Sequence, residues 1–191
     1  MLSVIIATRD SERALVPTLA ALVSGATTGL IREVLIADGG SRDETAAVAD
    51  IAGCNFLTIE GSLGGRLNSA ADRARSLWLL FLRPGIVLDT PWVVEARSFT
   101  EQAPPSPRAA VFRRAAPAQS GLREAFSLFA AALGAMPRPQ QGLIIARDFY
   151  QAIGGHSATA REPESDLLRR IGRRRLTKLS TSAFSTPHSD T

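Results

Sequence analysis

The sequence predicts an α/β fold with a mostly parallel central sheet and helices on both faces. Three observations predict it. Short apolar runs recur at Leu2–Thr8, Glu33–Asp38 and Leu77–Leu82, and runs apolar on both faces belong to parallel strands covered from each side. Stretches with apolar residues at helical spacing separate them, which is the βαβ alternation of such sheets. Polar or glycine-rich segments follow the runs directly, namely Arg9-Asp10-Ser11, Gly39-Gly40-Ser41 and Arg83-Pro84-Gly85. Loops at the carboxyl ends of parallel strands form the rim where ligands bind, so Thr8, Asp38 and the Arg83 loop are expected on one rim.

Leu2–Thr8 is rich in β-branched residues and reads as a buried strand. Glu12–Val23 carries Leu15, Leu19, Leu22 and Val23 at helical spacing before Gly25 and Gly29 break the chain. Glu33–Asp38 is the second strand, and Gly39-Gly40 lets the backbone turn sharply. Ser41 and Glu44 have capping-box spacing for a helix through Ala52. Asn55–Ile59 predicts a third strand, Arg66–Arg75 a helix, and Leu77–Leu82 a fourth and most apolar strand. Thr90-Pro91 fits an N-cap followed by a first-turn proline.

Ala103-Pro-Pro-Ser-Pro107 is the clearest break. Beyond it the pattern predicts a strand near Ala110–Arg113, a helix near Leu122–Leu133, a strand at Leu143–Arg147, a short helix Asp148–Ile153 and a helix starting at Pro163. The reading is a single domain over residues 1–180, with halves at 1–102 and 108–180 and a Ser/Thr-rich flexible tail at 181–191. Trp78 and Phe81 are expected in the core, and Trp92 between its helix and the sheet.

Composition bounds the function. The 191 residues are enough for one domain with a substantial core. Hydrophobic residues at 45%, charged residues at 21% and a mean hydropathy of +0.06 fit a soluble globular chain rather than a disordered one. No apolar run reaches the roughly 20 residues of a bilayer span, and the N-terminus lacks the basic segment of a signal peptide. The expected location is cytoplasmic. The single cysteine, Cys54, excludes an internal disulfide and reads as an inert thiol at the start of a strand. With two scattered histidines it cannot complete a zinc cage. Net charge is +4, and Arg169, Arg170, Arg173, Arg174, Arg175 and Lys178 crowd the C-terminal part. A solvated basic face is the plain reading. A peripheral contact with an anionic membrane, or a phosphate-bearing ligand, is the sharper one. Nucleic acid is not an expected partner, because no helix-turn-helix, RRM or zinc-finger pattern is present.

Asp38 ends a buried strand before two glycines. A carboxylate there is costly to desolvate unless paired. Two roles fit it equally: accepting a ring N–H of uracil or guanine, or capping its own turn.

Ser3-Val-Ile-Ile-Ala-Thr8 together with Glu33-Val-Leu-Ile-Ala-Asp-Gly-Gly-Ser-Arg-Asp-Glu-Thr45 resembles the opening of the family 2 glycosyltransferases of GT-A fold. Downstream, Gly65-Arg-Leu-Asn-Ser-Ala70, Trp78-Leu-Leu-Phe-Leu82, Gln141–Gly155 and Glu164-Ser-Asp-Leu167 follow the family's order. The likeness covers most of residues 2–172 and is closest to short, soluble bacterial members. It implies a nucleotide-binding half at 1–102 and an acceptor-side half at 108–180. It also implies that Thr8 and Asp38 hold the base and that Arg66 or Asn68 lies near the ribose or diphosphate. For Arg66, an exposed helix arginine is an equal alternative.

Two departures matter. Where the family carries aspartates that hold Mn²⁺ or Mg²⁺, this chain has Arg83-Pro84-Gly85, with no carboxylate until Asp89. Divalent ions want oxygen ligands, so no metal ligand is assigned, and Mn²⁺ or Mg²⁺ is left open as an alternative to a metal-free site. Arg83 either replaces the cation, since a guanidinium binds phosphate as a bidentate fork, or faces water in a degenerate site. The family's acidic motif is also altered. Aligning Asp166 with its last acid puts Glu164 at the base position and Pro163 where a glutamate stood. Glu164 and Asp166 are the catalytic candidates, with Glu162 as a second base. First-turn acids stabilised by the helix dipole are the plain alternative. His156 is expected to be a loop histidine without function.

The implied activity is inverting transfer of a sugar from a UDP- or GDP-sugar to the hydroxyl of an unspecified acceptor, metal-independent if Arg83 stands in for the cation. The second reading is a catalytically inactive nucleotide-binding or regulatory module on the same fold. A nucleotidyltransferase ranks third, because its glycine-rich, lysine-bearing signature is missing.

Overall fold

The computed structural model describes residues 1–102, 109–115 and 138–186. Its elements in chain order are β1 (Leu2–Thr8), α1 (Glu12–Thr27), β2 (Ile31–Asp38), α2 (Thr45–Ile51), β3 (Asn55–Thr58), α3 (Leu63–Arg73), β4 (Trp78–Leu82), β5 (Ile86–Leu88), α4 (Trp92–Gln102), β6 (Ala109–Arg114), β7 (Leu143–Ala146), α5 (Arg147–Ala152), α6 (Pro163–Ile171) and β8 (Leu176–Ser185). The expected break at 103–107 and helix near 122–133 lie outside the described residues.

The strands form one sheet in the order β3-β2-β1-β4-β7-β6-β8-β5. β3, β2, β1 and β4 are parallel. β7 runs antiparallel to both β4 and β6, β8 is parallel to β6, and β5 closes the edge antiparallel to β8. The parallel half is the part whose continuous apolar runs are visible in sequence.

Alternate residues feed two cores. Val4, Ile6, Ile36 and Leu80 face the layer of α1 and α4, where Leu15, Leu22 and Trp92 are buried. Ile5, Leu35, Leu79 and Phe81 face α3, α5 and α6, against Leu67, Tyr150, Leu167 and Ile171. Each fully buried aliphatic side chain contributes about 1.5–3 kcal/mol relative to exposure, so both layers hold the sheet. Trp92 is fully buried, and its indole N–H donates to Ala21 O at 3.1 Å. Trp78 packs edge-on against Phe99. Burial lifts the Cys54 thiol to about 11, which keeps it protonated and unreactive at neutral pH.

Several elements depart from expectation. α1 continues a turn past Val23, to Thr27. α2 begins only at Thr45, and Ser41 is not its cap. α3 begins at Leu63 because Ser62 Oγ accepts from the Gly65 amide. β5 is an added strand. Residues 181–185, expected in a flexible tail, are the end of β8, and 187–191 lie outside the described residues. That strand is tied to α4 by Glu95, whose carboxylate accepts from the amides of Ser180 and Thr181. Among the described residues, no helix is long and apolar enough to cross a membrane.

Candidate functional site

Register places the rim. Thr8 stands opposite Asp38, and Ile6 opposite Leu82, so Thr8, Asp38 and Arg83 emerge side by side at the carboxyl ends of β1, β2 and β4. The loops after β1 and β2 are laced together. The Asp10 amide donates to Ser41 Oγ (2.9 Å), the Ser11 amide to Thr45 Oγ1 (2.9 Å), the Glu12 amide to Asp43 Oδ2 (3.0 Å) and the Arg42 amide to Asp10 Oδ1 (2.7 Å).

Asp38 is 2% exposed, and its carboxylate is fully engaged. Oδ1 accepts from the hydroxyls of Thr8 (2.8 Å) and Ser41, and Oδ2 from the amides of Gly40 (2.8 Å) and Ser41 (2.8 Å). Burial alone would raise its pKa, but the hydroxyl and amide of Ser41, with Thr8 and Gly40, hold it below the ordinary value. Four donors match the four lone-pair sites of a carboxylate. In this arrangement Asp38 caps its own turn, and a nucleobase N–H would have to displace a hydroxyl. Sequence reasoning missed Ser41 as the main partner, although a hydroxyl three residues after a turn aspartate was a usable signal.

Arg66 is not an exposed helix arginine. It is 8% exposed, and Nη1 donates to Thr8 O (2.6 Å) and Ala37 O (3.1 Å), bracing the ends of β1 and β2. Desolvation lowers its pKa, partly offset by the charge of Asp38. Gly39 makes room for it, because a Cβ there would sit 2.5 Å from Nη1. Asn68, two residues on, points elsewhere. Its carbonyl accepts from the Tyr150 hydroxyl at 3.1 Å and lies against Gly155, so it ties α3 to the loop after α5.

His156 lies in the loop after α5, as expected, but is buried. It is 3% exposed, packs edge-on against Phe81 at 4.7 Å, and pairs through Nδ1 with the Tyr150 hydroxyl at 2.9 Å. Burial, with help from Arg170, drops its pKa to about 3, so the ring is neutral at physiological pH.

Arg83 follows β4 in a turn that is fixed from two sides. The Gly85 amide donates to Ala14 O (2.8 Å) and Thr18 Oγ1 (2.9 Å), and Gly85 O accepts from the Thr186 amide (2.9 Å). The Arg83 guanidinium meets Glu164 in the first turn of α6. Nε contacts both carboxylate oxygens, at 2.9 and 2.8 Å, and Nη2 donates to Oε2. That hydrogen-bonded carboxylate holds Arg83 above its ordinary pKa, against the pull of burial. Glu164 is thus brought to the rim, while Asp166 is not. Asp166 is held by Arg169 (2.6 Å) and Arg170 (2.8 Å), which lower its pKa, and Arg170 continues to Ile153 O and Gly155 O. Its role is to fasten α6 to the preceding loop. Glu162, the second base candidate, is exposed at the head of α6. Part of the basic C-terminal cluster is engaged with the backbone, since Arg175, though exposed, donates to Ile171 O and Arg170 O.

A cavity of about 220 Å³ opens at this rim, lined by Ala7, Ser11, Leu63, Leu67, Arg83 and Glu164 among others. The donor set does not fit a divalent ion: one guanidinium and one carboxylate already neutralised by it replace the several free oxygens such an ion requires. Among the described residues, no group of three or more His, Cys, Asp or Glu side chains could hold a metal.

Comparison with known proteins bears on the fold. The family described as "Glycosyl transferase family 2" matches residues 3–82. Glucosyl-3-phosphoglycerate synthase from Mycobacterium tuberculosis, solved with Mn²⁺, UDP and glucosyl-3-phosphoglycerate, superposes with a TM-score of 0.73 at 16% identity, over 98% of this chain and 72% of that one. The mannosyltransferase PcManGT from Pyrobaculum calidifontis, solved with GDP-Man and Mn²⁺, gives 0.77 at 13%, over 99% and 58%. S. aureus TarS 1–349 gives 0.72 at 14%, over 97% and 60%. The chain therefore spans about three fifths of the last two. At such identities the likeness establishes the fold, which is GT-A. No curated protein matches the sequence.

Proposed function

We propose, from the premise that residues 3–82 are a glycosyl transferase family 2 segment within a GT-A fold, that the chain transfers a sugar from a nucleoside-diphosphate donor to an acceptor hydroxyl with inversion and without a metal. The carrying observation is Arg83, a guanidinium on the wall of the rim cavity where the family's acidic metal site would lie. The acceptor oxygen attacks the anomeric carbon in line. The bond from that carbon to the diphosphate breaks, and its electron pair leaves on the diphosphate. The acceptor proton goes to the Glu164 carboxylate, and Arg83 meets the growing charge on the leaving group. Thr8 and Asp38 shape the base pocket, with Ser41 turning aside to let a ring N–H reach the carboxylate. The donor in the rim cavity is UDP- or GDP-linked, as in the neighbours solved with UDP and with GDP-Man.

A nucleotide-binding or regulatory module without turnover is the competing reading. Two observations favour it: the saturation of Asp38 and the pairing of Glu164 with Arg83. Thermal melts with UDP, GDP and their sugars, each with Mn²⁺ or with EDTA, separate the readings. A ligand at a hundred times its dissociation constant adds about 2.7 kcal/mol. The enzyme reading expects a shift that survives EDTA, together with slow donor hydrolysis. A shift without turnover across an acceptor panel supports the module, and hydrolysis abolished by EDTA refutes the metal-free mechanism.

A further inference from the structure

Glu164 borders two spaces. On one side is the 220 Å³ rim cavity. On the other is a pocket of about 20 Å³ lined by Phe81, Arg138, Gly142, Leu143 and His156, roomy enough for one water or one hydroxyl. The carboxylate thus stands between the proposed donor side and a pocket walled by β7, the loop after α5 and α6. It is held there side-on, by Nε and Nη2 of Arg83, while Nη1 bonds to no described residue.

We infer that the Arg83–Glu164 pair is a latch opened by the donor: a nucleoside diphosphate takes the guanidinium, and the released carboxylate turns to the acceptor pocket. This deepens the reading of the rim cavity as the diphosphate site and rests on it. Charge balance favours displacement over sharing. Among the described residues, Arg83 is the one cationic residue lining the large cavity, the other lining residues besides Glu164 being neutral, and the Arg66 guanidinium is turned to the carbonyls of Thr8 and Ala37. One positive charge cannot neutralise a carboxylate and a diphosphate together, and phosphate oxygens compete well for a guanidinium fork. The pair is also open to competition: its side chains are 35% and 15% exposed, so a phosphate can approach the guanidinium before the carboxylate leaves. The consequence is ordered binding. With the donor site empty, the proton acceptor is neutralised by Arg83, and it becomes available only when a leaving group is in place.

The test titrates UDP and GDP into the wild type, Glu164→Gln and Arg83→Gln by calorimetry, with EDTA present. A second readout follows the Arg83 Nε–H resonance in protein carrying ¹⁵N-arginine. The latch predicts that Glu164→Gln binds the preferred diphosphate about five- to tenfold tighter than wild type, and that Arg83→Gln binds neither. Glu164→Ala removes the same charge and carries the same expectation should the glutamine variant melt early. On saturation with diphosphate, the wild-type Nε–H signal should move to the position it has in liganded Glu164→Gln, because Nε is the atom that Glu164 grips. Equal or weaker binding by Glu164→Gln, or a wild-type Nε–H signal that stays at its free position when the site is full, overturns the latch and leaves the diphosphate site standing. Absence of binding by both wild type and Glu164→Gln overturns the diphosphate site, and the latch with it.

Discussion

Replacing Asp38 separates its two roles. In Asp38→Ala, four donors lose their acceptor: the hydroxyls of Thr8 and Ser41 and the amides of Gly40 and Ser41. They are not equally hurt. Gly40 is exposed and Ser41 half-buried, so water can reach their amides, whereas Thr8 is 1% exposed. Counting one fully buried loss and a fraction of the others, at about 1–3 kcal/mol for a stranded buried group, Asp38→Ala costs about 2–4 kcal/mol. Asp38→Asn should cost about 1 kcal/mol, because its carbonyl still accepts from the two amides and its NH₂ donates to hydroxyl oxygens that are free to rotate. The assay is urea unfolding at pH 7 without nucleotide, comparing midpoints at constant slope. An alanine variant within about 0.5 kcal/mol of wild type, or an asparagine variant as damaged as alanine, would show that the turn is not built on this carboxylate. The pH sign follows from the lowered pKa. Asp38 stabilises the fold above its unfolded value of 3.8 and loses that contribution as pH falls through the lower folded value, so both variants should lack this acid limb. The asparagine variant also reports on function: a folded Asp38→Asn that no longer binds UDP or GDP makes the residue a reader of the base, since its NH₂ meets a ring N–H donor to donor.

His156 sets a different pH dependence. Its folded pKa of about 3 lies below the ordinary histidine value of 6.5, so protons favour the unfolded chain, and stability falls as pH drops below 6.5. Between pH 7.5 and pH 5 the loss should be about 2 kcal/mol. Urea melts of His156→Gln should be flatter over that interval, and a flat wild-type profile would refute the burial argument. Gly64→Ala tests the seat of α6. A methyl there would strike Ser157 O and lie 3.0 Å from Pro163 Cβ, which should cost about 1–3 kcal/mol and loosen Glu164 on its helix. An unchanged melting temperature by circular dichroism would count against that contact.

The parallel half was legible because its signal is local. β1 runs over the expected Leu2–Thr8, and β2 and β4 end at Asp38 and Leu82 as the apolar runs do. Once parallel pairing is granted, those ends must share a rim. β8 was missed for a physical reason. In Leu176–Ser185 the inward positions are Leu179, Thr181 and Ala183, so polar and small residues hide the period-two pattern. The strand exists because β6, β5 and the carboxylate of Glu95 accept it, and those partners lie far away in sequence. Ser41 failed for the opposite reason: two local patterns competed, and the turn around Asp38 won over the capping box.

The site itself was half legible. Strand ends fix where Arg83 begins, and Pro163 fixes where α6 begins, so each residue could be put near the rim separately. Their pairing could not, because 81 residues separate them and the contact depends on how closely α3 and α6 approach. That approach is set by Gly64 under Ser157 and Pro163, a packing detail with no periodic signature. The consequence is chemical. Read singly, Arg83 is a stand-in cation and Glu164 a base. Read as a pair, each silences the other until a competing anion arrives. Loss of the acidic metal motif is therefore not by itself a mark of a dead enzyme: in the proposed latch the guanidinium that takes the place of the acidic motif also pairs with the candidate base, and that pairing is what would couple base and donor site.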